Sequence, residues 1–474
     1  MTTTLTRPHS GAAEPEREPA PRISLPERLL SKLTYPRVGT TLGAGAGVLI
    51  SLAPGLLPRT PSAQGVLAGL LVALALGVVG VVRVALGRRG VALGQRVRHW
   101  RKPLALAAAV VVLTAAWRAG MWQNELRAAM GAAPIAANYW LIGALVASVV
   151  AGLLVGLSAA VRAGARRLGL LRSVVAALLV AAMSAFVLAP ALAGWRQQSY
   201  AASNALFDDG VAQPVSFTKS GSAESEVSWD SLGVQGRRFV TGGPEGPVRV
   251  YVGMDSAPDL DSRVALVVRE LERSGGLTRS NIVVAIPTGS GWIDANAVTG
   301  FAERFAGDVA VVGMQYSYAP SWVGFAFGRD EAVEAARALF TAVERRVASM
   351  DAPPKLFVYG QSLGASGGGA VFADAADQDR RTCAALWAGP PANDAPRAGA
   401  TILSNSSDPV VHWSPALLWR APDLTGVRRD APLPPWLPGV SFVQTTADLL
   451  AALDAPPGHG HRYGTDQGTA LGDC

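Results

Sequence analysis

Acidic side chains are almost missing from the first 200 residues, which hold five glutamates and no aspartate against 21 lysines and arginines, a balance of +16. The other 274 residues carry 21 basic and 30 acidic side chains, a balance of −9, and the two halves sum to the chain's +7. A basic half addresses nucleic acid or an anionic membrane surface. No nucleic-acid reading module is recognisable, and the arginines flank long apolar stretches, so the expected partner is membrane lipid. Cysteine is scarce, with only Cys383 and Cys474, and so is histidine, with five. No cluster of Cys, Asp and His accompanies the paired His459 and His461, so neither a metal nor a cofactor is expected. An early apolar core with a cleavage site is lacking too. A polar tail of 38 residues, expected to be disordered, comes before the first apolar run, which argues against a removed signal peptide.

Charge is also sparse within the apolar half. Uncharged runs cover 38–58, 60–82, 103–117, 128–161 and 173–195. A helix needs about 20 apolar residues to cross a bilayer. The run 103–117 has only 15, but it could cross if its flanking basic side chains snorkel. With five spans and an inner N-terminus, the tail, 87–102 and 162–172 are cytoplasmic and hold six, six and four Lys/Arg. The outer loops then hold Arg59 alone and the pair Arg118 and Arg127, which is the positive-inside pattern. Four spans would put the four arginines of 162–172 outside. Five spans, at 39–195, therefore place the remainder of the chain outside a cell membrane. Trp100, Trp117, Trp140 and Trp195 fall near span ends, as interfacial aromatics do. No charged residue lies deep in a span, which argues against a transporter and for an anchor or lipid-facing platform.

A linker at 196–230 leads to a domain at 231–474. There, strand candidates at 247–254, 281–289, 309–317, 355–360, 383–391, 401–407 and 440–446 alternate with helical patterns such as 260–275 and 331–348. Near-continuous apolar strands between helices imply a mostly parallel sheet covered on both faces.

The run "KLFVY" ends in Gly360-Gln361-Ser362-Leu363-Gly364. A nucleophile on a tight strand-to-helix turn needs glycines on either side so that backbones can approach. A second G-x-S-x-G places Ser366 one turn into the following helix, where no strained turn exposes it. Ser362 is therefore the nucleophile candidate. A serine nucleophile needs a base, an orienting acid and an oxyanion hole. Asp408, following "TILSNSS", is the acid candidate, with Asp394 and Asp448 as alternatives. The base is His459 or His461, a choice the sequence leaves open; His412 lies too close to Asp408 in the chain. The oxyanion donors are expected from Leu363 and from the loop "PTGSGW" after the third strand, through Thr288 and Gly289. Trp292, Tyr316, Tyr318 and Trp322 are candidate walls of a substrate pocket. Cys383 and Cys474 could form a disulfide in an external domain, although Cys383 heads an apolar strand and suits a buried thiol equally.

As an ordered set, "SLAPGLLPRTPSAQG" (51–65), "PTGSGW", "MQYSYAPSW" (314–322), "GQSLG", "SDPVV" and "GHGHRYG" resemble the α/β-hydrolase family with an N-terminal multi-span membrane region, found in actinobacteria and other Gram-positive bacteria. The resemblance covers nearly the whole chain. Gln361 departs from a position where many relatives carry Glu, which affects local hydrogen bonding. The resemblance implies an all-α membrane bundle of about five helices followed by an α/β-hydrolase domain. It also implies a serine hydrolase acting on a lipid or small-molecule ester, with aminoacyl-phosphatidylglycerol the most concrete substrate. An acyltransferase of the same fold and a non-enzymatic scaffold or sensor with a retired domain are the competing readings. The oligomeric state is left open.

Overall fold

The structure is a computed structural model describing residues 35–89, 97–397 and 399–474. All but the last residues of the polar tail, and 90–96 of the basic segment 87–102, lie outside the described residues.

The N-terminal half is helical: α1 (Val38–Ser51), α2 (Pro61–Arg88), α3 (Arg101–Ala129), α4 (Tyr139–Leu168) and α5 (Leu170–Met183). A π-helical stretch, Ser184–Leu188, joins α5 to α6 (Ala189–Ala205). Among the described residues, four helical lengths are long and apolar enough to cross a membrane: Pro61–Arg88, Arg98–Ala129, Tyr139–Leu168 and Leu170–Ala205. The shorter α1 precedes them and packs along α2, with Gly39 beside Val79 and Gly47 beside Leu71, so the region holds about five helices as expected, four of them long enough to span by length alone. The 14 residues of α1 rise only about 21 Å, against a hydrocarbon core of about 30 Å. The remainder of the 38–58 run contains Pro54, Gly55 and Pro58, which end the helix. In the run 128–161, Gly131 (φ +65°) and Pro134 delay the helix until Tyr139. The 15-residue run lies inside the 29-residue α3, because the Ala, Leu, Arg, Gln and Glu around Arg118 and Arg127 are good helix formers. Helix α2 packs closely on its neighbours through small residues. A Cβ on Gly65 would lie 2.6 Å from the Gly143 carbonyl oxygen, the kind of close approach that membrane helices use.

The C-terminal domain holds a six-stranded, wholly parallel sheet ordered β1-β3-β2-β4-β5-β6. The strands are β1 (Val248–Val252), β2 (Asn281–Ile286), β3 (Val309–Met314), β4 (Lys355–Gln361), β5 (Ala384–Ala388) and β6 (Ala400–Leu403). All residues of β2 and β3 are buried, as strands covered on both faces must be. The cover is α7 (Gly233–Thr241), α8 (Leu260–Arg273), α9 (Ala295–Arg304), α10 (Ser321–Phe327), α11 (Arg329–Ala348), α12 (Leu363–Gly369), α13 (Ala375–Arg381), α14 (Pro409–His412), α15 (Val440–Asp448) and α16 (Asp466–Thr469). Helix α8 shows the amphipathic logic: Leu266, Val267 and Leu271 fall on its buried face.

The segment 440–446, expected as a strand, is helix α15 instead. Its β-branched and aromatic content favours a strand only weakly, and tertiary contacts override such preferences. The helix places Gln444 and Asp448, four residues apart, on one face, and both are buried. The segment 216–229, expected as a spacer, lies along the edge of β1. The Ser220 N–H donates to the Arg249 carbonyl (3.0 Å), and the Arg249 N–H donates to that of Thr218 (2.9 Å). Cys383 and Cys474 form a disulfide that ties residue 474 to the entry of β5.

Candidate active site

Parallel strands aim their carboxyl ends at one edge, and the order β2-β4-β5-β6 brings four of the expected segments together there. Ser362 follows β4 directly and precedes α12. Its backbone is at φ +54°, ψ −122°, a left-handed conformation that costs a non-glycine residue about 1–3 kcal/mol. The turn needs its glycines. A Cβ on Gly360 would lie 2.3 Å from the Gly364 carbonyl oxygen, and one on Gly364 would lie 2.2 Å from that of Ile286. The Ser362 N–H donates to the Ala388 carbonyl (2.9 Å), which locks the elbow against β5. Ser366 sits one turn along α12, away from the strained position.

The structure separates the two late histidines. His461 Nδ1 bonds Asp408 Oδ2 at 2.7 Å, and both side chains are buried. Asp408 follows β6 and caps α14, its Oδ1 accepting from the Val410 N–H (2.8 Å). Tyr463 O–H also donates to Asp408 Oδ2 (2.7 Å). Burial, with the Asp408 charge next in weight, holds the Tyr463 phenol well above its usual range. With Nδ1 turned to the carboxylate, the other ring nitrogen, Nε2 of His461, is buried without a hydrogen-bond partner among the described residues. The ring lies over Gly389, which follows Ala388: a Cβ there would meet His461 Cε1 at 2.7 Å. His459 has a different partner, Asp430, at 3.0 Å. Asp430 also accepts from Ser406 Oγ (2.9 Å) and the Ser407 N–H (3.0 Å). His459 therefore belongs to a network that holds its loop.

The other acid candidates lie elsewhere: Asp448 pairs with Arg59, and Asp394 lines a separate cleft. His412 is buried with Nε2 on the Ser406 carbonyl (3.0 Å), and burial lowers its pKa.

The loop "PTGSGW" follows β2, the second strand in chain order rather than the third as expected. Because β2 pairs with β4, the loop still borders the elbow. The Thr288 N–H is committed to the Trp292 carbonyl (3.0 Å), whereas those of Gly289 and Leu363 have no acceptor among the described residues. Gly289 packs on α10, where a Cβ would stand 2.7 Å from Ser321 Cα. The four expected pocket aromatics do not converge. Trp322 is 65% exposed and Tyr316 is buried in the core. Tyr318 bonds Asp255, and Trp292 belongs to the turn at 288–292. The cleft of about 370 Å³ that Asp394 lines lies beside α12, with Phe325, Arg329, Ser366, Pro391 and Trp413 also in its lining. Phe325 and Trp413 meet edge to face at 5.7 Å.

Sequence reasoning missed Asp430, Asn405 and the role of Tyr463. Asn405 Nδ2 donates to the Gly460 carbonyl (2.9 Å) and fixes the histidine loop from below. Tyr463 stood in a quoted block, but nothing in that block shows that its hydroxyl reaches Asp408. Gln361 donates to the His461 carbonyl (3.5 Å), which a glutamate carboxylate could not do.

A family model described as "Alpha/beta-hydrolase family" matches residues 248–401 and 396–471. A second, "Alpha/beta-hydrolase family N-terminus", matches 52–244. Comparison with curated proteins finds no match.

Proposed function

The chain belongs to this alpha/beta-hydrolase family, whose two models together cover most of it, and from that premise we propose that it is a membrane-anchored serine hydrolase of carboxylic esters. The observation that carries the reading is the pairing of a strained Ser362 elbow with a buried His461–Asp408 couple at the same sheet edge. Ser362 Oγ attacks the ester carbonyl and gives its proton to His461 Nε2, while Asp408 holds the ring and stabilises the imidazolium. The Gly289 and Leu363 N–H groups receive the developing oxyanion. His461 returns the proton to the leaving alcohol, and an acyl-Ser362 remains. Water then attacks, passing its proton to His461, and the acid is released with Ser362 restored. Catalytic hydrogen bonds are often long in the free enzyme, which fits the unpartnered Nε2.

The substrate we propose is a lipid ester, with aminoacyl-phosphatidylglycerol the most concrete form. Helices tied to the domain raise its effective concentration at the bilayer, and a C-terminal half of −9 tolerates a cationic aminoacyl group. The domain faces outward in this proposal, which is supported by the basic residues gathered at the helix ends away from it.

Labelling intact cells with an impermeant fluorophosphonate, wild type beside Ser362→Ala, tests the reading. Wild type should label and the variant should not. A wild type that stays unlabelled after permeabilisation sinks the hydrolase reading, and one labelled only after permeabilisation sinks the orientation. Aminoacyl lipids should accumulate in a deletion strain; unchanged levels would remove that substrate.

A further inference from the structure

Among the described residues, the densest buried polar junction outside the candidate active site joins the membrane helices to the hydrolase domain. The loop between α1 and α2 turns at the domain's surface and inserts Leu56, Leu57 and Arg59, all buried. Arg59 donates to Asp448 Oδ1 from Nε (3.0 Å) and Nη2 (2.8 Å), and from Nη1 to Gln444 Oε1 (2.5 Å). The Leu56 N–H takes the other carboxylate oxygen (2.7 Å). The backbone of Arg59 is held in turn by the membrane helices: its N–H donates to Gln123 (2.8 Å), and its carbonyl accepts from Arg127 (2.6 Å) and Tyr139 (3.1 Å). Burial pushes the Asp448 carboxyl up, and the Arg59 charge opposes that push.

Asp448 ends α15, and the chain turns at once through Leu449–Ala451 into Ala452 and Ala455. The Ala452 carbonyl accepts the His461 N–H (3.0 Å). Ala455 packs with Leu56, Leu57 and Met130. Gly460 (φ +55°) lies so close that a Cβ would meet Ala455 Cβ at 2.7 Å and Leu57 Cδ2 at 3.4 Å. The histidine loop is therefore held from two sides. Ser407 and Asn405 grip Gly460 from the sheet, at 2.7 and 2.9 Å. The tip of a membrane loop backs the other side through Ala452 and Ala455.

We propose that Arg59 is a positioning residue for His461: through Asp448 and the Leu56-Leu57 wedge, the membrane region completes the active site rather than only anchoring it. This rests on the assignment of His461 as the base. A base must be held to within about 0.5 Å to work, and a charged hub at a buried junction supplies such rigidity when its hydrogen bonds are met.

The test uses the full-length protein in detergent, with fluorophosphonate labelling read as two quantities. The amplitude counts competent sites, and the rate per labelled site reports the base. Arg59→Gln should keep most of the amplitude and lose about tenfold in rate, and Arg59→Lys should recover at least half of that loss on a logarithmic scale. Arg59→Gln with Asp448→Asn, which removes both charges together, should also label faster than Arg59→Gln alone. A wild-type rate per site in Arg59→Gln overturns the proposal. If Arg59→Gln yields no folded protein, Leu57→Ala keeps the ion pair and is read the same way. A threefold slower rate supports the wedge and an unchanged rate overturns it. Absence of any amplitude in wild type overturns the hydrolase reading itself, and this proposal with it.

Discussion

Ser362 departs from relaxed backbone geometry, and the departure can be measured. Alanine at this position keeps the φ of +54° and its cost, whereas glycine adopts that φ freely. Both Ser362→Gly and Ser362→Ala should abolish labelling. The glycine variant should melt higher than the alanine variant by about 2–4 °C, for a difference of about 1 kcal/mol. Equal melting temperatures would mean that the elbow stores no strain. The two histidines are separated by their partners. Replacing His461 by alanine should lower kcat on the order of 10⁴-fold. Replacing His459 should cost less than about tenfold, a split to be measured as kcat on a soluble ester at saturating substrate. Similar losses would mean that the base has been misassigned. The choice was illegible in "GHGHRYG" because it depends on long-range partners. Asp408 drew notice by its place after a strand and it does meet His461, but Asp430 sits 29 residues before His459 in a stretch with no motif and no periodicity.

Elements were legible where one local pattern decided them. All six strands coincide with expected runs, and the inner strands β2, β3 and β5, buried at every residue, have no polar side to disguise them. Helix α15 was not legible, because "VSFVQTT" has the composition of a strand, while the contacts that its helical form makes with Arg59, through Gln444 and Asp448, come from a distant part of the chain. The end of α1 was written in Pro54 and Pro58, yet counting uncharged residues passed over them. Helix α8 carries a further consequence. Its buried Glu270 accepts from Arg273 (2.8 Å), from the Glu226 N–H (2.6 Å) and from Ser220 and Ser225 (3.1 and 3.0 Å), fastening 216–229 to the domain. Burial pushes this carboxyl up, but the hydrogen bonds outweigh it and leave its pKa below the usual value. A depressed folded pKa contributes stability that is present above the unfolded value and lost as pH falls through the folded one. Glu270→Gln should therefore destabilise the protein at pH 7 by about 1–3 kcal/mol. The gap to wild type should close as pH falls below about 4.3, the ordinary glutamate value. A gap in thermal denaturation that is independent of pH would show that the ionised carboxylate is not what matters.

At the scale of the molecule, the bundle and the sheet share one polarity. The loops 52–60 and 130–138 and the end of α6 all lie at the domain, where Arg59 and Arg127 are consumed in hydrogen bonds and Asn204 accepts from Gln315 (3.0 Å). Arg88, Arg98, Arg101, Lys102, Arg166, Arg167 and Arg172 gather at the opposite helix ends. Positive charge prefers the cytoplasmic side, so the domain should meet an oxidising compartment, where the Cys383–Cys474 disulfide would persist. The two arguments are independent: one uses arginines in the bundle and the other uses sulfur in the domain. They meet in one measurement. Protein taken from cells under acid quench should resist alkylation by a maleimide until it is reduced, and an impermeant maleimide should then reach the exposed Cys474 in intact, reduced cells. Because the bond spans 91 residues, Cys474→Ser should also lower stability by about 2–4 kcal/mol, read as a lower melting temperature of the unreduced protein. Two free thiols in freshly quenched cells, reached only by a permeant reagent, would place the domain in the cytoplasm. The arginine count would then have misled, and the lipid ester would have to be sought in the inner leaflet.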